Sequence, residues 1–215
     1  MIEEPDLSTG FLDETLRAEF PELALVYTLV EARPRRTPRE VRARLREASN
    51  RFTGAKAVAL RQQPIPWAYR VFFRHVGIDP DEQRTPVEAI ALERMRAGGF
   101  KSLSLLDDAL LLATLETAVP VQAFDADRVE GELGLRLAHP GEQLGGDGRL
   151  VPSGQLVIAD SNRSVAVLFG EVAPGAGVTP ATKRMLVTAL RVKGVPDVCV
   201  EEALWIVFEM LTEEG

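Results

Sequence analysis

The sequence predicts an α+β domain, with antiparallel or mixed sheets in the middle and helices on the outside. Three observations carry this. Between residues 20 and 118 the chain is mostly helical in pattern, with repeated helix-start signals. Between 119 and 172 it breaks into short apolar or alternating runs separated by tight-turn residues. After 196 it ends in a long apolar helical pattern. Helices, then a cluster of strands, then helices again is the order expected of segregated α and β layers. At 215 residues the chain is long enough for one large domain. A domain of that size buries about 70% of the surface its unfolded chain exposes and needs no covalent staples. Its 46% apolar and 27% charged residues are ordinary for a globular protein.

The elements follow in order. Residues 1–19 read as a lead-in with one short helix from about Leu12 to Glu19. Residues Leu23 to Val30 are apolar and β-branched without helical period, and are expected to form a buried strand. "RTPREVRARLREASNRF" then predicts a helix with Thr37 as N-cap, Pro38 in the first turn and Glu40 closing a capping box. Val41, Leu45, Ala48 and Phe52 recur at helical spacing and face inward, which sets Arg39, Arg42 and Arg46 on the opposite face as a stripe. "IPWAYRVFFRHVG" predicts a helix ending near Gly77, with Trp67, Tyr69, Phe72 and Phe73 as core aromatics. Thr85, Pro86 and Glu88 repeat the start signal, and Gly98–Gly99 supply the stop. Ser104 to Glu116 reads as a buried helix.

The strand cluster comes next. Leu133, Leu135 and Leu137 alternate onto one face of a half-buried strand. Asp147–Gly148 is a hairpin-turn signal between two short strands. Gln155 to Asp160 predicts another strand, turned by "SNRS" and answered by "VAVLFGEV". A third Thr-Pro pair, Thr179–Pro180, predicts a helix through about Arg191. The final segment predicts a helix capped by Asp197, with Cys199, Ala203, Ile206 and Met210 on its apolar face. The expected divisions are a lead-in over 1–19, a domain over 20–195 with a helical half (20–100) and a strand-rich half (101–195), and a C-terminal helix over 196–215.

Charge is unevenly placed. The net charge is −7, yet Arg33 to Arg74 holds twelve basic and two acidic residues, a local balance of +10 that leaves −17 for the remainder. Such asymmetry fits a polyanion-facing patch on an acidic body, or equally a helix face salt-bridged to that body. The first ten residues are acidic where a signal peptide is basic, and no apolar run approaches the roughly 20 residues of a membrane span. Cys199 is the single cysteine, so no internal disulfide forms. A cytoplasmic protein is expected.

Several chemistries are missing. His75 and His139 stand far apart without a Cys or His at ligand spacing, so no metal and no cofactor is expected. There is no G-x-S-x-G elbow, no Walker A segment and no G-x-G-x-x-G. The glycines of "GGDG" at 145–148 suit a turn better than a phosphate. Asp107 and Asp108 are adjacent on a helix and point about 100° apart, so they do not share a proton; one is expected to cap or anchor a neighbouring loop.

Beyond these residue-level readings, one series is distinctive. "SLSLLDDALLLATLETAVPVQAFDADRVEGELGLRLAHPGEQL", "LVIADSNRSVAVLFGEV" and "GVTPATKRMLV" resemble the B3/B4 domain of the phenylalanyl-tRNA synthetase beta chain. The residues carrying the resemblance are Asp108, Pro120, Ala123–Phe124–Asp125, Asp127–Gly131, Arg136, Gly141–Glu142, Ile158–Ala159–Asp160, Gly177–Val178 and Thr182. Upstream, "FPELALVYTLV", "WAYRVFFRHVGIDPDEQRTPVEA" and "RAGGF" resemble the N-terminal half of stand-alone members. The resemblance implies a three-layer domain containing a β-sandwich of short mixed strands flanked by helices. It also implies a pocket that in the synthetase hydrolyses tyrosine wrongly esterified to tRNA, and a tRNA or aminoacyl-tRNA partner. Ligase activity is not expected. The pocket departs from the synthetase pattern: Gln122 stands where a histidine precedes Ala-Phe-Asp, and Thr188 falls at the editing glutamate. Val172–Ala173 replaces a glycine pair, and Ser104–Leu105 replaces asparagines.

Gln122, Thr188 and Asp108 are therefore the candidate pocket residues, and Arg39, Arg42 and Arg46 the candidate phosphate-binding residues. Neither Gln122 nor Thr188 can act as a general base near pH 7, so any ester hydrolysis would rely on oriented water. The leading expectation is binding of tRNA or aminoacyl-tRNA with deacylation of mischarged tRNA in trans. The alternatives are an amino-acid-like small-molecule binding module and a protein-docking subunit.

Overall fold

The computed structural model describes residues 4–213; the start of the acidic lead-in and the last two residues of the expected C-terminal helix lie outside them. In chain order the elements are β1 (Leu7–Thr9), β2 (Phe11–Leu12), α1 (Glu14–Glu19), β3 (Ala24–Glu31), α2 (Arg39–Arg51), α3 (Gly54–Ala59), α4 (Pro64–His75), α5 (Pro86–Ala97) and α6 (Leu105–Thr117). They continue with β4 (Val121–Asp125), β5 (Gly134–Leu137), β6 (Leu156–Ala159), β7 (Ser164–Val167), β8 (Arg184–Arg191) and α7 (Asp197–Thr212).

Two four-stranded sheets form, one ordered β1-β3-β8-β4 and the other β2-β5-β6-β7. The first is antiparallel throughout. The second is mixed, because β2 runs parallel to β5. The lead-in thus sends one short edge strand to each sheet. The β2–β5 approach depends on Gly134: a Cβ there would sit 2.2 Å from the carbonyl oxygen of Phe11.

The central strands are buried on both faces, which is why they read as near-continuous apolar runs. Met185, Val187 and Ala189 of β8 are fully buried, and so are Thr188 and Leu190 on its other face. Leu25, Thr188 and Leu190 face Ile158 of the second sheet across a shared cleft. The helices α6 and α7 pack together, and α7 lies against β3 and β8. With one face of the first sheet turned to the second sheet, α6 and α7 cover the other, giving helix, sheet and sheet as layers. A single cluster runs through all three, from Leu112 and Val207 in the helices to Leu135 and Ile158 in the second sheet.

Five local expectations change. Thr179–Pro180 does not open a helix. Thr182 donates its hydroxyl to Asp125 at 2.6 Å and accepts from the Thr179 N–H at 3.0 Å, closing a turn that feeds β8, a strand. A buried central strand and a buried helix share the same apolar composition, and the local start signal decided wrongly. Thr37 does not cap α2, whose N-cap is Pro38 without a side-chain bond; its hydroxyl is buried and donates to Asp108 instead. Pro196 rather than Asp197 occupies the cap position of α7, and Asp197 pairs with Arg191 at 2.6 Å. Around Asp147–Gly148 there is a turn, but only an isolated Gln143–Leu150 bridge flanks it. Trp67 is 50% exposed and is not a core aromatic, whereas Tyr69, Phe72 and Phe73 are buried.

At Thr85 the capping box is present: Glu88 accepts from the Thr85 N–H at 3.3 Å and from its hydroxyl at 2.9 Å. Gly98 ends α5 with φ of 75°. No helix among the described residues is long and apolar enough to cross a membrane.

Candidate functional site

The register of the first sheet sets three polar side chains in a row across three strands. Tyr27 of β3 pairs with Thr188 of β8, and Thr188 pairs with Gln122 of β4. Directly opposed residues share a face, so all three are on the side turned to the second sheet. The Thr188 hydroxyl donates to the Gln122 carbonyl oxygen at a long 3.3 Å. Burial and the nearby charge of Glu132 push the Tyr27 phenol upward, so it stays protonated near neutral pH and keeps its donor.

Gln122 and Thr188 line a cleft of about 220 Å³ between the sheets. The other walls include Leu25, Leu190, Ile158 and Phe169, with Pro86 from the first turn of α5. Phe169 has φ of +55°, a backbone conformation uncommon for a residue with a Cβ. It is held there by the aromatics of α4: its ring stacks on Phe73 at 5.4 Å and meets Tyr69 edge-on at 6.2 Å. Tyr69 is fixed in turn by donating to the Leu190 carbonyl oxygen at 2.6 Å. The core of α4 therefore positions one wall of the cleft. None of the lining side chains is ionisable. The cleft can orient a water, an amine or a carbonyl through Gln122 and Thr188, but it supplies no general base.

The third candidate, Asp108, is placed elsewhere. It is buried in the first turn of α6, where it accepts from the Thr37 hydroxyl at 2.6 Å, the Ser102 hydroxyl at 2.5 Å and the Leu103 N–H at 3.2 Å. It is not among the cleft-lining residues. It ties the start of α2 and the loop before α6 together, the anchoring role expected of one member of the Asp107–Asp108 pair. Asp107 stays at the helix start, bonded to Ser104.

The other acidic residues of the distinctive series are also anchors. Asp125 holds the Thr179–Thr182 turn through Thr182. Asp160 accepts from the N–H groups of Glu130, Asn162 and Arg163 at 2.8–3.0 Å, closing the β6–β7 turn. Glu142 forms a two-pronged pair with Arg136 at 2.7 Å, and that hydrogen-bonded guanidinium, helped by the His139 N–H, holds its carboxyl down to about 2.

The stripe on α2 is present. Arg39 and Arg46 are exposed, Arg42 is half-buried, and among the described residues none of the three has a carboxylate partner. Other cations of the basic segment are neutralised: Arg44 by Glu116, Arg51 by Glu47, and Arg61, Arg70 and Arg74 by Asp81 or Glu88. The salt-bridged reading thus holds for these other cations, whereas the α2 stripe is left unpaired among the described residues. Tyr27 and Phe169 were not singled out from the sequence. Tyr27 sits inside an apolar strand, and only the pairing register gives it neighbours; Phe169 shows its role only through its φ.

The B3/4 domain family matches residues 68–196, more than half of the chain. The chain belongs to the B3/4 domain family. It is also 43% identical over 94 residues to the phenylalanine–tRNA ligase beta subunit of Xanthomonas oryzae pv. oryzae (strain MAFF 311018), a match covering 42% of this chain and 12% of that protein. The corresponding subunit of Xylella fastidiosa (strain Temecula1) is 36% identical over 94 residues, with the same coverage. That of Idiomarina loihiensis is 34% identical over 103 residues, covering 46% of this chain and 13% of the relative. The chain thus spans about an eighth of the length of the curated relatives it matches. The B3/4 match contains Gln122 and Thr188 but not the α2 stripe.

Proposed function

We propose that this B3/4 protein binds tRNA or aminoacyl-tRNA, with phosphates on Arg39, Arg42 and Arg46 and the aminoacylated end at the Gln122–Thr188 cleft. The observation that carries this reading is the direct pairing of Gln122 with Thr188 at a cleft between the two sheets. It is supported by the relatives, which are named as phenylalanine–tRNA ligase beta subunits. Three arginines on one helix face, without a carboxylate partner among the described residues, supply sequence-independent attraction to phosphate.

Hydrolysis of the ester in trans is the activity this cleft would support. Aminoacyl esters are intrinsically labile, and a site that holds water and carbonyl in register gains rate through orientation without a strong base. In that role Gln122 and Thr188 each hold the water or the amino group, Thr188 through the lone pairs of a hydroxyl whose proton goes to the Gln122 carbonyl oxygen. The experiment is release of amino acid from a panel of correctly and wrongly charged tRNAs. Release from one mischarged species supports editing; binding without release from any leaves a tRNA-binding protein; neither binding nor release removes the reading.

A second reading follows from the apolar, non-ionisable lining of the cleft: a free amino-acid-like ligand bound without RNA. It predicts thermal stabilisation by the ligand alone.

A further inference from the structure

Leu168 and Phe169 line the cleft of about 220 Å³ that holds Gln122 and Thr188. They also line a second cavity, of about 240 Å³, on the α4 side. No other described residue lines both. The inner wall of the second cavity is Leu16, Phe72, Phe73 and Leu156, all buried. Sites for small organic ligands begin at roughly 300 Å³. Each cavity falls short of that, and the two joined would exceed it. What divides them therefore decides what the cleft can hold.

The divide sits where the backbone favours another residue. The Gly170 N–H donates to the Val167 carbonyl oxygen at 2.9 Å, closing a four-residue turn with Phe169 in its third position. A positive φ at that position calls for glycine or asparagine, yet at φ of +55° the chain carries phenylalanine. Backbone strain of this kind gathers at ligand sites, held by the surrounding structure. Here it is held by Phe73 and Tyr69, against which the Phe169 ring packs. Phe73 belongs to the wall of the second cavity and not to the cleft. The ring thus stands between the two spaces.

The cleft has to hold a carbonyl, an amino group and a water, whose own share is about 30 Å³. What remains of its 220 Å³ suits a side chain of a few heavy atoms. We infer that Phe169 sets the size limit of the cleft, which accepts aminoacyl groups with small side chains, such as alanine or serine, and rejects aromatic ones. This rests on the aminoacyl reading above and gives its substrate class.

The test uses the full chain with alaninamide and phenylalaninamide, which carry the amino group and carbonyl without RNA. Affinity is read by NMR titration. Wild type is expected to prefer alaninamide by about tenfold or more, the scale on which an apolar pocket rejects a poor fit. Phe169→Gly suits the left-handed φ and opens a phenyl-sized space beside Phe73 and Tyr69. It is expected to bind phenylalaninamide about tenfold more tightly than wild type does. Phe169→Leu keeps a core-filling side chain and shifts the preference the same way by less; thermal unfolding shows that each variant is folded. Toluene separates size selection from mere cavity filling. Adding Thr188→Val to Phe169→Gly should weaken phenylalaninamide by about tenfold and leave toluene unchanged. Equal wild-type affinity for the two amides, no binding of either, or an unchanged preference in a folded Phe169 variant overturns the size limit. A Thr188→Val loss that is the same for toluene also overturns it. If tRNA binds through Arg39, Arg42 and Arg46 but the amides show no preference, only the size limit falls. If the preference holds and tRNA does not bind, the RNA reading falls and the cleft remains a size-limited site for a small free amine.

Discussion

The hydroxyl of Thr37 donates to the carboxylate of Asp108 at 2.6 Å, across 71 residues of chain. This one bond explains two features of the sequence at once. It takes Thr37 away from the helix it precedes, and it turns the first carboxylates of α6 from a suspected site into a joint. Asp108 receives three donors, from Thr37, Ser102 and the backbone of Leu103, and α2 is thereby seated on the helical layer.

Asp108→Asn replaces an acceptor-only group with one that offers N–H where only donors await it. The substitution is expected to destabilise the fold by about 2 kcal/mol through unsatisfied buried groups. Thermal unfolding should show a fall of roughly 4–8 °C for a domain of this size. Thr37→Val should cost less, since Ser102 and Leu103 still occupy the carboxylate. An Asp108→Asn protein as stable as wild type would contradict the joint.

Arg39, Arg42 and Arg46 have no carboxylate partner among the described residues, so neutralising them should act on RNA binding without unfolding the protein. The triple change to Gln is expected to reduce the slope of log affinity against log salt by about 2 for single strands, from the loss of three phosphate contacts. The measurement is tRNA binding over a series of salt concentrations, with Arg44→Gln as a comparison. Arg44 already pairs with Glu116 and should leave the slope nearly unchanged.

At the cleft, Thr188→Val keeps the shape and removes the hydroxyl. It is expected to weaken aminoacyl-tRNA binding, or slow amino-acid release, by about tenfold, the scale of one or two net hydrogen bonds. Binding of uncharged tRNA and its salt slope should not move. Equal effects on charged and uncharged tRNA would place Thr188 outside the recognition of the aminoacyl group.

The Arg136–Glu142 pair gives the fold an acid limit. Glu142 has its carboxyl depressed to about 2 from an ordinary value of 4.5. A depressed carboxyl contributes its stability in full above the unfolded value, and the contribution fades as pH falls from about 4.5 towards 2. Glu142→Gln should lose about 2 kcal/mol at pH 7, discounted for partial exposure, and should flatten the decline in stability below pH 4.5. Denaturant midpoints at pH 7, 4.5 and 3 check the sign. An unchanged decline would assign it to other carboxylates.

The sequence by itself determined the class of fold and most of its elements. Local signals suffice where an element is amphipathic or punctuated: Thr85–Glu88 and Gly98 bound α5, and the β5 and β6 runs follow from alternation and turns. It also set the ordered series of Asp108, Asp125, Arg136, Glu142, Asp160 and Thr182, although their shared role as anchors of loops and turns appears only in three dimensions. What the tertiary structure decided is everything that depends on a partner distant in the chain. Residues 184–191 are a strand because β3 and β4 flank them and both faces are covered, while their composition fits a buried helix equally well. Thr188 meets Gln122 and Tyr27 only through strand register, where a slip of one residue would send it to the opposite face. Trp67 is exposed because Tyr69, Phe72 and Phe73 already fill the inward side of α4. Patterns along a chain report which residues want burial, but which of them obtain it is settled by the geometry of the layers they share.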